Sequence, residues 1–118
     1  IGNSQSNLIL AGDSHNSWIS NLFNKNNKFI GIEIGAPSIS SPNFIDTFGK
    51  YTDAIDKSSI DTNKDLVWTN GKNKGYVELD VYSEYVEVKF NFVSSVKSKN
   101  YTNLKPISFR VDHKKVLT

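Results

Sequence analysis

The stretch LILAGDSHNSW, residues 8–18, places an aspartate and a histidine one residue apart at the end of a short apolar run. Carboxylate and imidazole are both ligands of divalent and trivalent cations, and two side chains separated by one loop residue can converge on one ion or on adjacent ions. Asp13 and His15 are therefore candidate metal ligands. The other histidine, His113, lies in the charged tail RVDHKK, which favours a solvated surface residue.

The same residues also allow a purely structural interpretation of the turn. Asp13 could accept hydrogen bonds from the backbone amides of residues 14–16, as in an Asx turn, while His15 packs against Trp18. Because short motifs often occur without function, the spacing alone favours this structural interpretation.

The composition excludes several classes of protein. The chain has 118 residues, which is enough for one domain, and no cysteine, so it forms neither a disulfide framework nor a thiolate metal site. Its net charge is +2 and Arg110 is its only arginine, so specific nucleic-acid binding is not expected. No apolar stretch approaches the roughly 20 residues of a membrane span. Since the chain contains no methionine and begins with Ile1, we expect a processed piece or an expressed fragment of a longer protein.

The elements that position the Asp-x-His turn are mostly strands. The apolar run 8–11, ended by Gly12, predicts a buried strand. Alternating apolar residues predict one hairpin at 18–23 and 29–34 and a clearer one at 77–81 and 86–92. Further strands are predicted at 66–69 and 107–111. A helix is predicted at 44–55, capped by Asn43 or Ser41, and an exposed connection at 56–65 follows it. The predicted fold class is α+β and mostly β, a sandwich of antiparallel or mixed strands with one main helix and an open sheet edge.

Three blocks, LILAGDSHNSW, GIEIGAPSISSPNF and LVWTNGKNKGYVELDVYSEYVEVKFNFVSSV, resemble in order and spacing the C-terminal part of the PhoD-like alkaline phosphatases and phosphodiesterases. In that family a strand ending in G-D-x-H-x-x-W precedes a glutamate-bearing strand, an S-I-S-S turn, and W-x6-G-Y-x-x-x-D-V with a final hairpin. The resemblance covers about residues 8–96, between a lead-in of 1–7 and a tail of 97–118. The whole chain is then a single C-terminal segment of one domain.

The resemblance implies a metallophosphoesterase fold, in which two β-sheets lie between helices in an αββα sandwich. It implies that Asp13 and His15 are metal ligands, that His15 also acts in catalysis, and that the metals are calcium and iron. Asn16 and Trp18 are candidates for the rim of the substrate site, although tryptophan more often serves packing. Glu33 could support the site from outside the set of ligands, or could equally be a strand glutamate that faces solvent or another chain.

The function implied by the resemblance is metal-assisted hydrolysis of a phosphate ester by an extracellular or periplasmic enzyme. The motifs that supply the other ligands in that family have no counterpart in this sequence. The expected partner is therefore an upstream segment or chain of the same enzyme, and little or no phosphatase activity is expected from this chain alone. The alternatives are a stand-alone β-sandwich binding module, whose tyrosines and tryptophans line a ligand surface, and a structural subunit without a site.

Overall fold

Two four-stranded sheets face each other across an apolar core in the computed structural model, which describes residues 7–112 and the backbone of 116–117. His113, most of the predicted lead-in and part of the tail lie outside the described residues. In chain order the strands are β1 (Asn7–Ala11), β2 (Ser17–Phe23), β3 (Phe29–Gly35), β4 (Leu66–Asn70), β5 (Lys74–Val81), β6 (Val86–Val93), β7 (Ile107–Val111) and β8 (Val116–Leu117).

The first sheet is mixed, with strand order β1-β3-β2-β4. β2 and β3 form the predicted antiparallel hairpin, β4 pairs antiparallel with β2, and β1 pairs parallel with β3. The second sheet has the order β5-β6-β7-β8 and is antiparallel throughout. The prediction of mixed and antiparallel strands in a sandwich is therefore confirmed.

The core lies between the inward faces of the two sheets. Ile19, Ile32 and Ile34 come from the first sheet, and Val88, Phe90, Phe92, Phe109 and Val111 come from the second. Trp68 of β4 crosses between the layers, with its ring centroid 4.6 Å from that of Phe90 and 5.3 Å from that of Phe109. Alternation along each strand sends these apolar residues to one face, so burial of that face holds the sheets together.

The helical segment is longer than predicted. It consists of α1 (Phe44–Phe48), a 3₁₀ turn (Gly49–Tyr51) and α2 (Thr52–Thr62), so the prediction of an exposed connection was wrong for residues 56–62. In α2 only Thr52 is buried, and most of the polar residues are exposed. A helix that buries so little needs no continuous apolar face, and its sequence accordingly shows no strong apolar periodicity. Its contacts with β4 place it beside that strand. No helix in the part of the chain that the structure describes is long and apolar enough to cross a membrane.

Candidate functional site

The Asp-x-His turn lies beside a second loop because β1 and β3 run parallel. Ala11, the last residue of β1, is in register with Gly35, the last residue of β3. The carboxyl ends of the two strands therefore meet, and the turn after β1 (residues 12–16) adjoins the serine-rich loop after β3 (residues 36–43). In sheets with parallel strands, loops at the carboxyl ends commonly bind ligands.

Backbone hydrogen bonds shape the Asp-x-His turn and join it to the serine-rich loop. Within the turn, the His15 amide donates to the Gly12 carbonyl over 3.2 Å. Across to the loop, the Ala36 amide donates to Ala11 over 2.7 Å and the Ser38 amide to His15 over 3.3 Å. His15 has a φ of +63°, in the left-handed region that only a few per cent of non-glycine residues adopt. The turn is therefore held in an unusual backbone conformation by its neighbours.

The His15 ring has one nitrogen bound within the protein. Its Nδ1 lies 3.0 Å from the Pro42 carbonyl oxygen, which can only accept, so Nδ1 carries the proton and donates it. In the neutral imidazole this leaves Nε2 as the unprotonated nitrogen. Metal-binding histidines characteristically donate one ring N–H to a backbone carbonyl and bind the metal through the other nitrogen. The orientation of His15 therefore fits a metal ligand.

Asp13 is exposed at the tip of the turn. The backbone amide of His15 donates to the Gly12 carbonyl, and the backbone amide of Asn16 donates to the Ser14 hydroxyl over 3.4 Å. Two of the three amides that would donate to Asp13 in an Asx turn therefore have other acceptors. Among the described residues no group of three or more histidine, aspartate or glutamate side chains could hold a metal ion. The described residues therefore do not form a complete metal site, and metal ligation by Asp13 and His15 stays a prediction.

Asn16 joins the Asp-x-His turn to helix α1. Its side chain is 4% exposed; its Oδ1 accepts the Phe44 amide proton over 3.0 Å and its Nδ2 donates to the Ser14 carbonyl over 2.9 Å. Because both ends of the amide are engaged inside the protein, the geometry supports a positioning role. Contact of Asn16 with substrate stays a prediction.

Trp18 is half-buried on the outer face of the first sheet, opposite the core residue Ile19. A Cβ on Gly35 would overlap the Trp18 ring, so the indole lies flat against the backbone at the end of β3. Glu33 shares this outer face, because its neighbours Ile32 and Ile34 face the core, and it lies two residues before the end of β3. Packing accounts for the position of Trp18, whereas a supporting role for Glu33 stays a prediction.

Ser38 shapes the serine-rich loop. Its hydroxyl oxygen accepts the amide protons of Ser40 and Ser41 over 3.1 and 2.6 Å. The loop is thereby bent so that the Pro42 carbonyl reaches His15 and the Phe44 amide reaches Asn16. The side chain that organises the S-I-S-S turn is therefore that of its first serine, Ser38.

A buried lysine that was not among the residues predicted from the sequence supports the start of α1. The Lys74 ammonium group donates to Asn43 Oδ1 over 2.9 Å and to Asp46 Oδ2 over 2.5 Å, and the side chain of Lys74 is 9% exposed. The Asn43 amide donates to the same Asp46 carboxylate over 3.0 Å, as expected of an N-cap residue. The hydrogen bond from Lys74 is the main cause that holds the pKa of Asp46 below its usual value, and the bond from the Asn43 amide adds to it.

The sequence profile of the PhoD-like phosphatase family matches residues 2–90, which is most of the chain. The chain belongs to the PhoD-like phosphatase family. No curated protein matches it in sequence. A solved structure of PhoD is similar to it with a TM-score of 0.69 and 21% identity over 91% of this chain, and the match covers 20% of the PhoD chain. This likeness confirms the predicted fold, and the chain spans about a fifth of the PhoD chain that it matches.

One motif of this PhoD-like chain has a direct structural reason. In the Gly75-Tyr76 pair, Gly75 faces Phe92 in the β5–β6 register, and a Cβ at Gly75 would overlap the Asn91 carbonyl oxygen. The Gly75 amide also donates to the Ser38 carbonyl over 3.0 Å. The glycine therefore lets β5 approach β6 closely, and its backbone amide connects the second sheet to the serine-rich loop.

Proposed function

We propose that this PhoD-like chain supplies the Asp-x-His turn to the metal centre of a phosphate-ester hydrolase. The observation that carries the proposal is the hydrogen bond from His15 Nδ1 to the Pro42 carbonyl, which in the neutral imidazole leaves Nε2 as the nitrogen without a proton. Membership of the PhoD-like phosphatase family supports the reaction class.

Asp13 and His15 would hold the metal from one side. A metal held there would supply positive charge that neutralises phosphoryl oxygens and lowers the pKa of the attacking water. The carboxylate of Asp13 is a hard oxygen ligand of the kind that calcium prefers, and the imidazole of His15 is a ligand of the kind that suits iron. Calcium and iron are accordingly the metals proposed for the complete site.

The remaining ligands would come from an upstream segment or chain of the same enzyme. Two candidate ligands are too few for a catalytic metal site, which needs three or more protein groups as well as an open position. This chain alone is therefore proposed to have little or no phosphatase activity. An extracellular or periplasmic location is proposed on the family resemblance.

The experiment is elemental analysis and intact mass of the purified protein, with and without added calcium and iron, together with a nitrophenyl phosphate assay in the presence of the upstream polypeptide. Asp13→Asn and His15→Gln are expected to remove bound metal and turnover. Asp61→Asn, on the exposed face of α2, is the matched control and is expected to change neither. A folded complex that hydrolyses the ester equally well with Asp13→Asn would refute the proposal and favour the binding-module alternative.

A further inference from the structure

We propose that Lys74 is a positioning residue for His15, because it holds the peptide group whose carbonyl oxygen accepts the proton of His15 Nδ1. This peptide group joins Pro42 to Asn43 and is called here the anchored peptide. The inference rests on the proposed function, since it explains how the candidate metal ligand is oriented. Its test reads the His15 ring directly and needs no metal.

The anchored peptide lies in the serine-rich loop, outside the helices and strands. The proline ring limits φ at Pro42 but leaves ψ free, and rotation about ψ turns the carbonyl group. The proline by itself therefore does not decide whether its carbonyl faces His15. Another contact has to hold the plane of the peptide.

The two ends of the anchored peptide have different partners. Its carbonyl oxygen lies 3.0 Å from His15 Nδ1, and its N–H, which belongs to Asn43, donates to Asp46 Oδ2 over 3.0 Å. The peptide bond is trans, so the group is planar and its C=O and N–H point in opposite directions. Holding the N–H on Asp46 therefore holds the carbonyl toward His15.

Lys74 fixes both Asp46 and Asn43. Its ammonium group donates to Asp46 Oδ2, the same oxygen that accepts the Asn43 N–H, and to Asn43 Oδ1 over 2.9 Å. Hydrogen bonds that join ionised groups are the stronger ones, and because Lys74 and Asn43 are buried, water replaces these partners poorly. One ammonium group thus determines where the Asn43 side chain and the N–H of the anchored peptide lie.

The second sheet holds Lys74 itself in place. Lys74 is the first residue of β5 and is in register with Val93 of β6. The next amide, of Gly75, donates to the Ser38 carbonyl over 3.0 Å. The ammonium group therefore extends from a paired strand, which gives the carbonyl in the loop a fixed support.

The backbone of His15 has partners that do not involve Lys74. Its amide donates to the Gly12 carbonyl over 3.2 Å, and its carbonyl accepts the Ser38 amide proton over 3.3 Å. Loss of the ammonium group should therefore leave the turn folded and release only the ring. The proton of the neutral imidazole would then be shared between Nδ1 and Nε2. Since the hydrogen bond of one ring nitrogen sets which nitrogen can bind a metal, this release matters for the proposed site.

The test measures the tautomer of the neutral His15 ring by NMR of the imidazole nitrogens at about pH 9, where histidine side chains carry no charge. His113→Gln is present in every sample, so that all ring signals come from His15. Lys74→Met removes the ammonium group and keeps a long side chain. Asp46→Ala removes the acceptor of the Asn43 N–H, and the chain should tolerate this change because the Asp46 side chain is 27% exposed.

Lys72→Met is the matched control. It removes the same charge two residues away, from a side chain that is 51% exposed and pairs with Asp53 over 3.6 Å. A thermal melt and the spread of the amide NMR signals check the fold of each variant. If Lys74→Met does not fold, Asp46→Ala decides the outcome.

We expect the Nδ1–H tautomer to predominate in the unmodified chain. Its ratio to the Nε2–H tautomer should fall at least about fivefold in Lys74→Met and in Asp46→Ala, the size expected for one lost hydrogen bond, and stay within about twofold in Lys72→Met. In the enzyme assembled with the upstream polypeptide, Lys74→Met should also weaken the binding of added iron at least about tenfold. An unchanged ratio in folded Asp46→Ala, or an equal change in Lys72→Met, would overturn the positioning role.

The proposed function can fail independently of this inference. A tautomer that responds to Lys74→Met, together with turnover that is indifferent to Asp13→Asn, would keep the positioning role and refute the proposed function. A tautomer that does not respond, together with metal lost in Asp13→Asn, would refute the positioning role and leave the proposed function standing.

Discussion

Replacing Asn16 with alanine should loosen the connection between the Asp-x-His turn and helix α1. The substitution removes the acceptor of the Phe44 amide proton and the donor to the Ser14 carbonyl. Because the Asn16 side chain is 4% exposed, water replaces these partners poorly. Phe44 is the first residue of α1, and an amide at that position has no acceptor within its own helix.

The expected cost follows from the two lost hydrogen bonds. Leaving a buried polar group without a partner costs about 1–3 kcal/mol, and the Ser14 carbonyl is the more accessible of the two groups. We therefore expect Asn16→Ala to lower the free energy of unfolding by about 2–3 kcal/mol. For a chain of this size, about 4 °C of melting temperature corresponds to 1 kcal/mol, which gives a decrease of roughly 8–12 °C.

Urea and thermal unfolding measure the total effect, and residue-resolved hydrogen exchange measures its origin. The Phe44 amide should exchange at least about tenfold faster in Asn16→Ala, beyond the change due to global stability. The next amide, of Ile45, is the internal control because it donates to the Gly71 carbonyl over 3.0 Å and not to Asn16. Ser14→Ala is the matched variant, since it removes only an exposed hydroxyl that accepts a proton from the backbone amide of Asn16 over 3.4 Å. It should lower the free energy of unfolding by less than about 0.5 kcal/mol.

The positioning role of Asn16 is refuted if Asn16→Ala melts within about 2 °C of the unmodified chain or no lower than Ser14→Ala. It also fails if the Phe44 and Ile45 amides respond equally, because the bond to Asn16 would then not be what protects the start of α1. In either case the positioning role of Asn16 would have to be abandoned, and its predicted contact with substrate would become the better explanation.

Three further predictions concern the supports of the fold. Gly75→Ala should destabilise the protein by about 3 kcal/mol or more in urea unfolding, because the new Cβ overlaps the Asn91 carbonyl oxygen. A urea midpoint within error of that of the unmodified chain would contradict the close approach of β5 and β6. Phe90→Ala, at a fully buried ring, should cost about 3–5 kcal/mol in the same assay, and a loss below about 1 kcal/mol would mean that the sheets do not enclose it. Since Lys74 holds the pKa of Asp46 below the ordinary 3.8, the stabilisation from ionised Asp46 is present above that pH and is lost as the pH falls below it. The free energy of unfolding, measured from pH 6 to pH 2, should therefore decline less on acidification in Asp46→Asn than in the unmodified chain. Identical pH profiles would refute the pairing of Lys74 with Asp46.

Much of the fold could be predicted from local pattern. The alternation of apolar and polar residues in β5 and β6 assigned both strands, because a side-chain period of two is a property of neighbouring residues. The apolar run before Gly12 assigned β1 and placed Asp13 and His15 in the turn after it. The predicted burial of this strand was wrong, because its leucine and isoleucine side chains are exposed in the described structure. Helix α2 escaped prediction beyond residue 55 because, with only Thr52 buried, its sequence shows no apolar face.

The arrangement of the site depended on contacts between residues far apart in the chain. His15 meets the Pro42 carbonyl across 27 residues, Asn16 meets the Phe44 amide across 28, and Lys74 meets Asn43 across 31. Asp13 and His15 could be singled out from their types and spacing, but the protonated Nδ1 of His15, the role of Ser38 and the buried Lys74 could not. The parallel pairing of β1 with β3 brings the Asp-x-His turn beside the serine-rich loop. That pairing joins strands that are not consecutive in the chain, so patterns among neighbouring residues do not encode it.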